Sequence, residues 1–212
     1  CIAQKLIFQY KNLIFYKFLN NYHCCNAFLE PIISEAVVFP LHFCMQSIII
    51  DVHNKMKTIL AFSDSHGAPL PERLISVARE SDYVFFLGDG LSGLREIADL
   101  DNLFFVKGNC DSYPAPEERV LDVENVRVFL THGHLYRVKS DLLNLSLRAK
   151  ELGCSLAFFG HTHLAEEVKA DGVTLVTPGA LAYPMSGVPS YAYTVINGDK
   201  TVTTLVNLQS EK

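Results

Sequence analysis

From residue 56 onward the sequence predicts an α/β fold of layered, mixed β-sheets flanked by helices. Three observations predict it. Short apolar runs suited to strands alternate with stretches of helical period. Several of those runs end directly in glycine-containing loops that carry Asp, Asn or His. Two hairpin signals, at Asp171-Gly172 and Asn197-Gly198, then add antiparallel strands.

Taken in order, Thr58–Ser63 is an apolar strand running into Asp64-Ser65-His66-Gly67. Pro71–Glu80 reads as a helix with Pro71 at its first position, where a missing N–H costs nothing, and with Leu74, Ile75, Val77 and Ala78 on one side. Tyr83–Leu87 is continuously apolar, as a strand buried on both faces is, and Gly88-Asp89-Gly90 follows it. Leu91–Leu100 is expected to be helical. Leu103–Val106 is the next strand and leads to Lys107-Gly108-Asn109-Cys110-Asp111. Val120–Val123 and Val126–Leu130 flank a short polar turn and read as neighbouring strands, the second running into Thr131-His132-Gly133-His134. Ser140 is the expected N-cap of a helix through Leu152 that Gly153 stops. Leu156–Phe159 is a strand ending in Gly160-His161-Thr162-His163. Glu166–Lys169 pairs with Val173–Val176, and Tyr191–Ile196 with Thr201–Leu208.

The 212 residues suit one domain, and a hydrophobic share of 49% suffices for a sizeable core. A formal charge of −5 gives no global attraction for nucleic acid or an anionic membrane, and neither is expected as a partner. No CxxC pair supports a structural zinc cluster. The two isolated cysteines after residue 56, Cys110 and Cys154, together with the want of a secretory pattern, fit a cytoplasmic protein.

Residues 1–55 differ from the rest. They hold four Lys, no Arg, no Gly and three acids (Glu30, Glu35, Asp51), and neither helical period nor turn punctuation organises them. The change at Met56-Lys57-Thr58 is abrupt. A non-native or disordered extension is therefore expected over 1–55, with the domain over 56–212.

The informative pattern is the placement of polar residues. Five times an apolar strand ends in a polar loop, giving Asp64 and His66, Asp89, Asn109, His132, and His161 with His163. In open α/β sheets, loops leaving the carboxyl ends of strands gather at one edge and build the site. Every histidine after Met56, namely His66, His132, His134, His161 and His163, falls in these loops. Nitrogen and oxygen ligands without thiolate suit a hard or borderline divalent ion such as Mn²⁺, Fe²⁺ or Zn²⁺. Seven ligands exceed what one catalytic ion takes while keeping an open position. They suffice for two ions if one carboxylate bridges. Asp64 and Asp89 taken singly also read as turn formers, and Asn109 as an ordinary loop residue.

The series Asp64-x-His66, Gly88-Asp89, Gly108-Asn109-x-Asp111, His132-Gly133-His134 and Gly160-His161-x-His163 resembles, in order, the motifs of calcineurin-like metallophosphoesterases. The late Thr177-Pro178-Gly179-Ala180 segment looks most like the small YfcE-type phosphodiesterase branch. The resemblance spans Met56–Leu208. It implies an α/β/β/α sandwich and one metal held by Asp64, His66 and His163. It implies a second held by Asn109, His132 and His161, with Asp89 bridging. The ions would be two divalent metals, with Mn²⁺ expected and Fe, Zn or Ni as alternatives. The implied reaction is in-line attack on a small phosphate ester by a water or hydroxide held between the ions.

Asn109, Cys110, Asp111 and His134 are the candidate catalytic residues. His134 is open between contact with substrate, support of a ligand and a purely structural role. Asp111 is read as orienting a ligand. Cys110 stands where many superfamily members carry a histidine thought to assist leaving-group departure, which favours diester over monoester chemistry. Buried packing is the competing reading of that thiol, and of Cys154. The protein Ser/Thr phosphatase branch is disfavoured, because Gly88-Asp89-Gly90-Leu91 lacks its GDxVDRG continuation. A non-catalytic scaffold is the competing class, since the retromer subunit of this fold has altered metal-site residues. Homo-oligomerisation stays open.

Overall fold

The computed structural model describes residues 56–208, and the expectation for residues 1–55 lies outside them. Two five-stranded mixed sheets face each other. The first runs in the order β10 (Lys200–Asn207), β9 (Ser190–Asn197), β1 (Lys57–Phe62), β2 (Tyr83–Phe86), β3 (Leu103–Phe105). The second runs β4 (Glu118–Val123), β5 (Val126–Thr131), β6 (Leu156–Phe158), β8 (Val173–Pro178), β7 (Ala165–Ala170). Strands β1, β2 and β3 are parallel, as are β5, β6 and β8, and antiparallel hairpins complete each sheet.

Alternation along the strands sorts the core into layers. Ile59, Ala61, Phe85 and Leu87 of the first sheet meet Val128, Leu130, Leu156 and Phe158 of the second. The Phe85 and Phe158 rings join edge to face at 5.6 Å. The opposite face of the first sheet, through Leu60, Phe62, Val84 and Phe86, packs on Leu74 and Ala78 of helix α1 (Glu72–Glu80). Phe129, Ala157 and Leu175 pack on Leu145 and Ala149 of helix α2 (Leu143–Glu151). Each fully buried side chain of this kind contributes about 1.5–3 kcal/mol. The central strands are covered on both faces, which is why they read as unbroken apolar runs.

Four local expectations need correction. Pro71 is the N-cap of α1, with ψ 138°, and its carbonyl accepts the N–H groups of Leu74 and Ile75. The segment after Gly90 forms a 3₁₀ helix, Leu91–Ile97, in place of an α-helix through Leu100. The Gly90 and Leu91 N–H groups are pinned by the Asp111 carboxylate, and a Cβ on Gly93 would meet the Ala68 carbonyl at 3.1 Å. Ser140 does not cap α2; its N–H closes a turn on Arg137, and the Asp141 carboxylate takes the Leu143 N–H. The last hairpin pairs Asn197 with Lys200, so its turn residues are Gly198 and Asp199.

Gly153 does end α2. At φ 70° it donates to the Lys150 carbonyl while Cys154 donates to Ala149, which is the Schellman pattern. The Asp171-Gly172 turn joins β7 to β8 with φ 53° and 84°, as a primed two-residue hairpin requires.

The entry to the first sheet rests on Asp82. Its carboxylate accepts from the Thr58 N–H and Oγ1, each at 3.0 Å, and from Lys57 Nζ at 3.2 Å. Burial opposes the charge, but the Thr58 and Lys57 donors outweigh it and lower the Asp82 pKa. A lowered folded pKa means the contribution is present above about pH 4, the unfolded value, and is lost as pH falls through the folded one. Asp82→Ala should therefore cost about 1–2 kcal/mol at pH 7. Thermal unfolding from pH 7 down to pH 3 should show its deficit in Tm shrinking below about pH 4.

Candidate metal centre

The loops after β1, β2, β3, β5 and β6 carry the seven expected residues, and the parallel strands deliver them to one edge of the sandwich. The loops are sewn together through their backbones. Asp64 N–H donates to the Gly88 carbonyl at 3.0 Å, His66 N–H to Asp89 at 2.8 Å and Gly160 N–H to His132 at 3.1 Å. His161 N–H donates to Asp64 Oδ2 at 3.1 Å, tying a loop of the second sheet to one of the first.

Local strain concentrates here. Among the described residues, nine non-glycines have positive φ, and five of them are Asp64, His66, Asp89, His161 and His163. A non-glycine residue held in this region costs of order 1–3 kcal/mol where it is strained, and the fold keeps it where geometry matters. Close approach matters as much. A Cβ on Gly108 would stand 2.0 Å from Asp89 Oδ1 and 2.3 Å from its nitrogen, so only glycine fits.

The side chains converge in two groups whose ligand atoms lie within 4.8 Å of one another: Asp64, His66 and His163, and Asp89, His132 and His161. Asn109 Oδ1 lies 3.2 Å from His132 Nε2, so the seventh residue joins the second group. Asp64, Asp89 and His132 are buried, whereas His66 and Asn109 are exposed. The centre is thus anchored in the core and open on one side.

The donor set fits divalent cations. His132 Nδ1 is 2.7 Å from the Leu87 carbonyl and His163 Nδ1 is 2.9 Å from the Tyr183 carbonyl. A carbonyl only accepts, so each Nδ1 carries the proton and each Nε2 presents a lone pair. His163 Nε2 faces Asp64 Oδ1 at 3.1 Å, and His132 Nε2 faces Asp89 Oδ2 at 3.3 Å. Asp64 Oδ1 is buried with no hydrogen-bond donor. Acceptor opposite lone pair is a geometry that positive charge completes.

The local field points the same way. Burial works against a charged His132, yet Asp89 and Asp64 overcome it and raise its pKa. Asp64 likewise raises that of His163. Burial opposes ionisation of Asp89, but the His132 imidazole beside it and the Cys110 N–H that donates to it hold its carboxyl well below the usual carboxylate range. Burial, His132 and Lys139 push His161 down to about 4, leaving its imidazole neutral and free to ligate.

The remaining candidates separate. Asp111 does not line the centre. Its Oδ2 accepts from the Asp89 and Gly108 N–H groups and its Oδ1 from those of Gly90 and Leu91, all at 2.9 Å. It fastens the loop bearing Asp89 to the loop bearing Asn109. His134 lies beside the two groups, its ring 5.4 Å from His132 and 6.2 Å from His161, with Nε2 3.9 Å from Glu117. Cys110 is exposed, which corrects the buried-packing reading. Its Sγ falls within the same 4.8 Å limit of His66 and Asp89 and accepts from Asn109 Nδ2 at 3.2 Å. Cys154 is buried, as expected of a core residue.

Two orienting groups gave no sign in the sequence, the Leu87 and Tyr183 carbonyls, because any residue offers a carbonyl. Ser63 is a further orienting residue that the sequence reading missed: fully buried, it donates to Asp64 Oδ2. Its position just before Asp64 was the one available signal.

The family model for the calcineurin-like phosphoesterase superfamily domain matches residues 56–199. The probable metallophosphoesterase YsnB of Bacillus subtilis is 35% identical over 147 residues, covering 66% of this chain and 85% of that one. Phosphodiesterase YfcE of Escherichia coli K12 is 28% identical over 187 residues, covering 73% and 95%. A predicted phosphoesterase of Streptococcus pneumoniae superposes with a TM-score of 0.61 at 28% identity, covering 72% of this chain and 90% of that one. Vacuolar Protein Sorting 29 of Cryptosporidium parvum superposes with a TM-score of 0.63 at 22% identity, covering 74% and 94%, a likeness that shows the fold alone.

Proposed function

The chain belongs to the calcineurin-like phosphoesterase superfamily, and from that premise we propose that it hydrolyses a small phosphate diester at a dinuclear metal centre. One observation carries the reading: two ligand groups, each buried at its carboxylate, meet at an open edge with their imidazole lone pairs unspent. Asp64, His66 and His163 would hold one ion, and Asn109, His132 and His161 the other, with Asp89 shared. Bound there, two divalent ions lower the pKa of a water and neutralise charge on the phosphate oxygens.

The chain's own residues do the rest. Leu87 and Tyr183 fix the imidazole tautomers, Asp111 fixes the spacing of two loops, and the buried carboxylates supply the negative field. Water attacks phosphorus in line, the ester P–O bond breaks, and the proton from water goes to the departing alkoxide. No protein nucleophile is required. Cys110 stands where the family resemblance implies a histidine acid, and partial desolvation of the exposed thiol, with Asp89 next to it, raises its pKa. Both disfavour monoesters, whose looser transition state places more charge on the departing oxygen and so depends more on a proton donor. The nitrogen and oxygen donors suit Mn²⁺. We place the activity in the cytoplasm, on the ground that Cys110 and Cys154 are both free thiols.

Purified protein loaded with Mn²⁺ should hydrolyse bis(p-nitrophenyl) phosphate faster than p-nitrophenyl phosphate, and lose that activity on chelation. A second reading, a scaffold without catalysis, draws on the fold likeness to Vacuolar Protein Sorting 29. Failure of the metal-loaded protein to turn over either ester would leave the scaffold as the better account.

A further inference from the structure

We infer that Tyr183, with Met185 and Leu164, forms an apolar platform beside the metal centre that binds an aryl or nucleobase group carried on the phosphoester. The inference rests on the phosphoesterase reading and deepens it by naming the substrate class.

Tyr183 is 78% exposed, Met185 70% and Leu164 45%. Single exposed apolar residues are ordinary on a protein surface. These three differ in where they stand. The Tyr183 ring meets the His66 ring edge to face, with centroids 5.7 Å apart. Leu164 follows His163 directly, and the Met185 N–H donates to the His163 carbonyl at 3.1 Å. The platform therefore adjoins the group formed by Asp64, His66 and His163.

The segment is also held rigidly. Leu181 N–H donates to the Ser63 carbonyl at 3.1 Å and Ala182 N–H to Asp64 at 2.9 Å. Gly187 N–H closes on Pro184 at 3.0 Å. Tyr183 itself sits at φ 55° with its carbonyl on His163 Nδ1. A tyrosine in this conformation spends its backbone on the histidine and leaves its ring free toward solvent. Aromatic faces take planar rings sequence-tolerantly, and Met adapts to their shape. A phosphate at the metals would carry its ester substituent over this rim.

Equilibrium binding of phenylphosphonate and methylphosphonate to the Mn²⁺-loaded protein tests this, with turnover of a diester measured on the same preparations. Phenylphosphonate is expected to bind about 5- to 10-fold tighter than methylphosphonate. Tyr183→Phe should keep that ratio and Tyr183→Ala should bring it close to one. A ratio unchanged in Tyr183→Ala, or no binding of either phosphonate, overturns the platform. Selective binding without turnover of any ester supports the platform and retires the hydrolase; turnover with a ratio indifferent to Tyr183 does the reverse.

Discussion

Asp89→Ala is expected to lower kcat/KM for a diester about a thousandfold or more, whereas His134→Ala lowers it by no more than about 10- to 100-fold. The difference follows from position. Asp89 lies within ligand distance of His132 and His161, and also of His66 and Cys110, so it is the carboxylate best placed to serve both ions. Losing it would remove the ligand proposed as shared, and leaves His132 Nε2, now 3.3 Å from a carboxylate oxygen, without its anionic partner. His134 belongs to neither ligand group. Steady-state kinetics at saturating Mn²⁺ measures both variants. Equal, mild losses would contradict the shared role of Asp89.

The second large effect is expected at Asp111. Four backbone N–H groups donate to its two oxygens, from Gly108, Asp89, Gly90 and Leu91. Asp111→Ala leaves all four without an acceptor, at about 1–3 kcal/mol for each that water does not reach. A total loss of about 3–5 kcal/mol is reasonable because the site is partly open to solvent. Activity should fall about 10- to 100-fold through misplacement of Asp89 and Asn109. Asp111→Asn keeps one accepting oxygen and should fall between wild type and alanine in both measures. Thermal unfolding and kcat/KM taken together check this; a fall in activity with stability intact would show Asp111 acting on substrate instead.

The sandwich was legible because its central strands are covered on both faces. Phe62, Phe85, Phe86, Phe129 and Phe158 leave no polar alternation to confuse a strand with a surface element. The polar residues that interrupt those runs, Asp64, Asp89, Asn109, His132 and His161, stand out for the same reason. Hairpins were legible where a turn residue demands positive φ, as Gly172 does.

What could not be read depends on contacts distant in sequence. The segment from Leu91 becomes a 3₁₀ helix because Asp111, twenty residues on, holds its first N–H. Nothing local to Leu91 announces that. The Tyr183 carbonyl reaches His163 across twenty residues, and the Leu87 carbonyl reaches His132 across forty-five. Backbone acceptors have no letter of their own in a sequence. Cys110 was misread for a related reason: cysteines are commonly buried, but the loop that lets Asp89 receive the Cys110 N–H at 2.7 Å turns the thiol outward.

The central claim is that seven side chains hold two ions side by side. Metal content after Mn²⁺ loading and removal of free ion, joined to anomalous scattering from crystals of the same sample, tests it most directly. The account predicts two ions per chain, about 3.5–4 Å apart, with Asp89 touching both. One ion, or none, or ions bound away from Asp64 and His132, would contradict it.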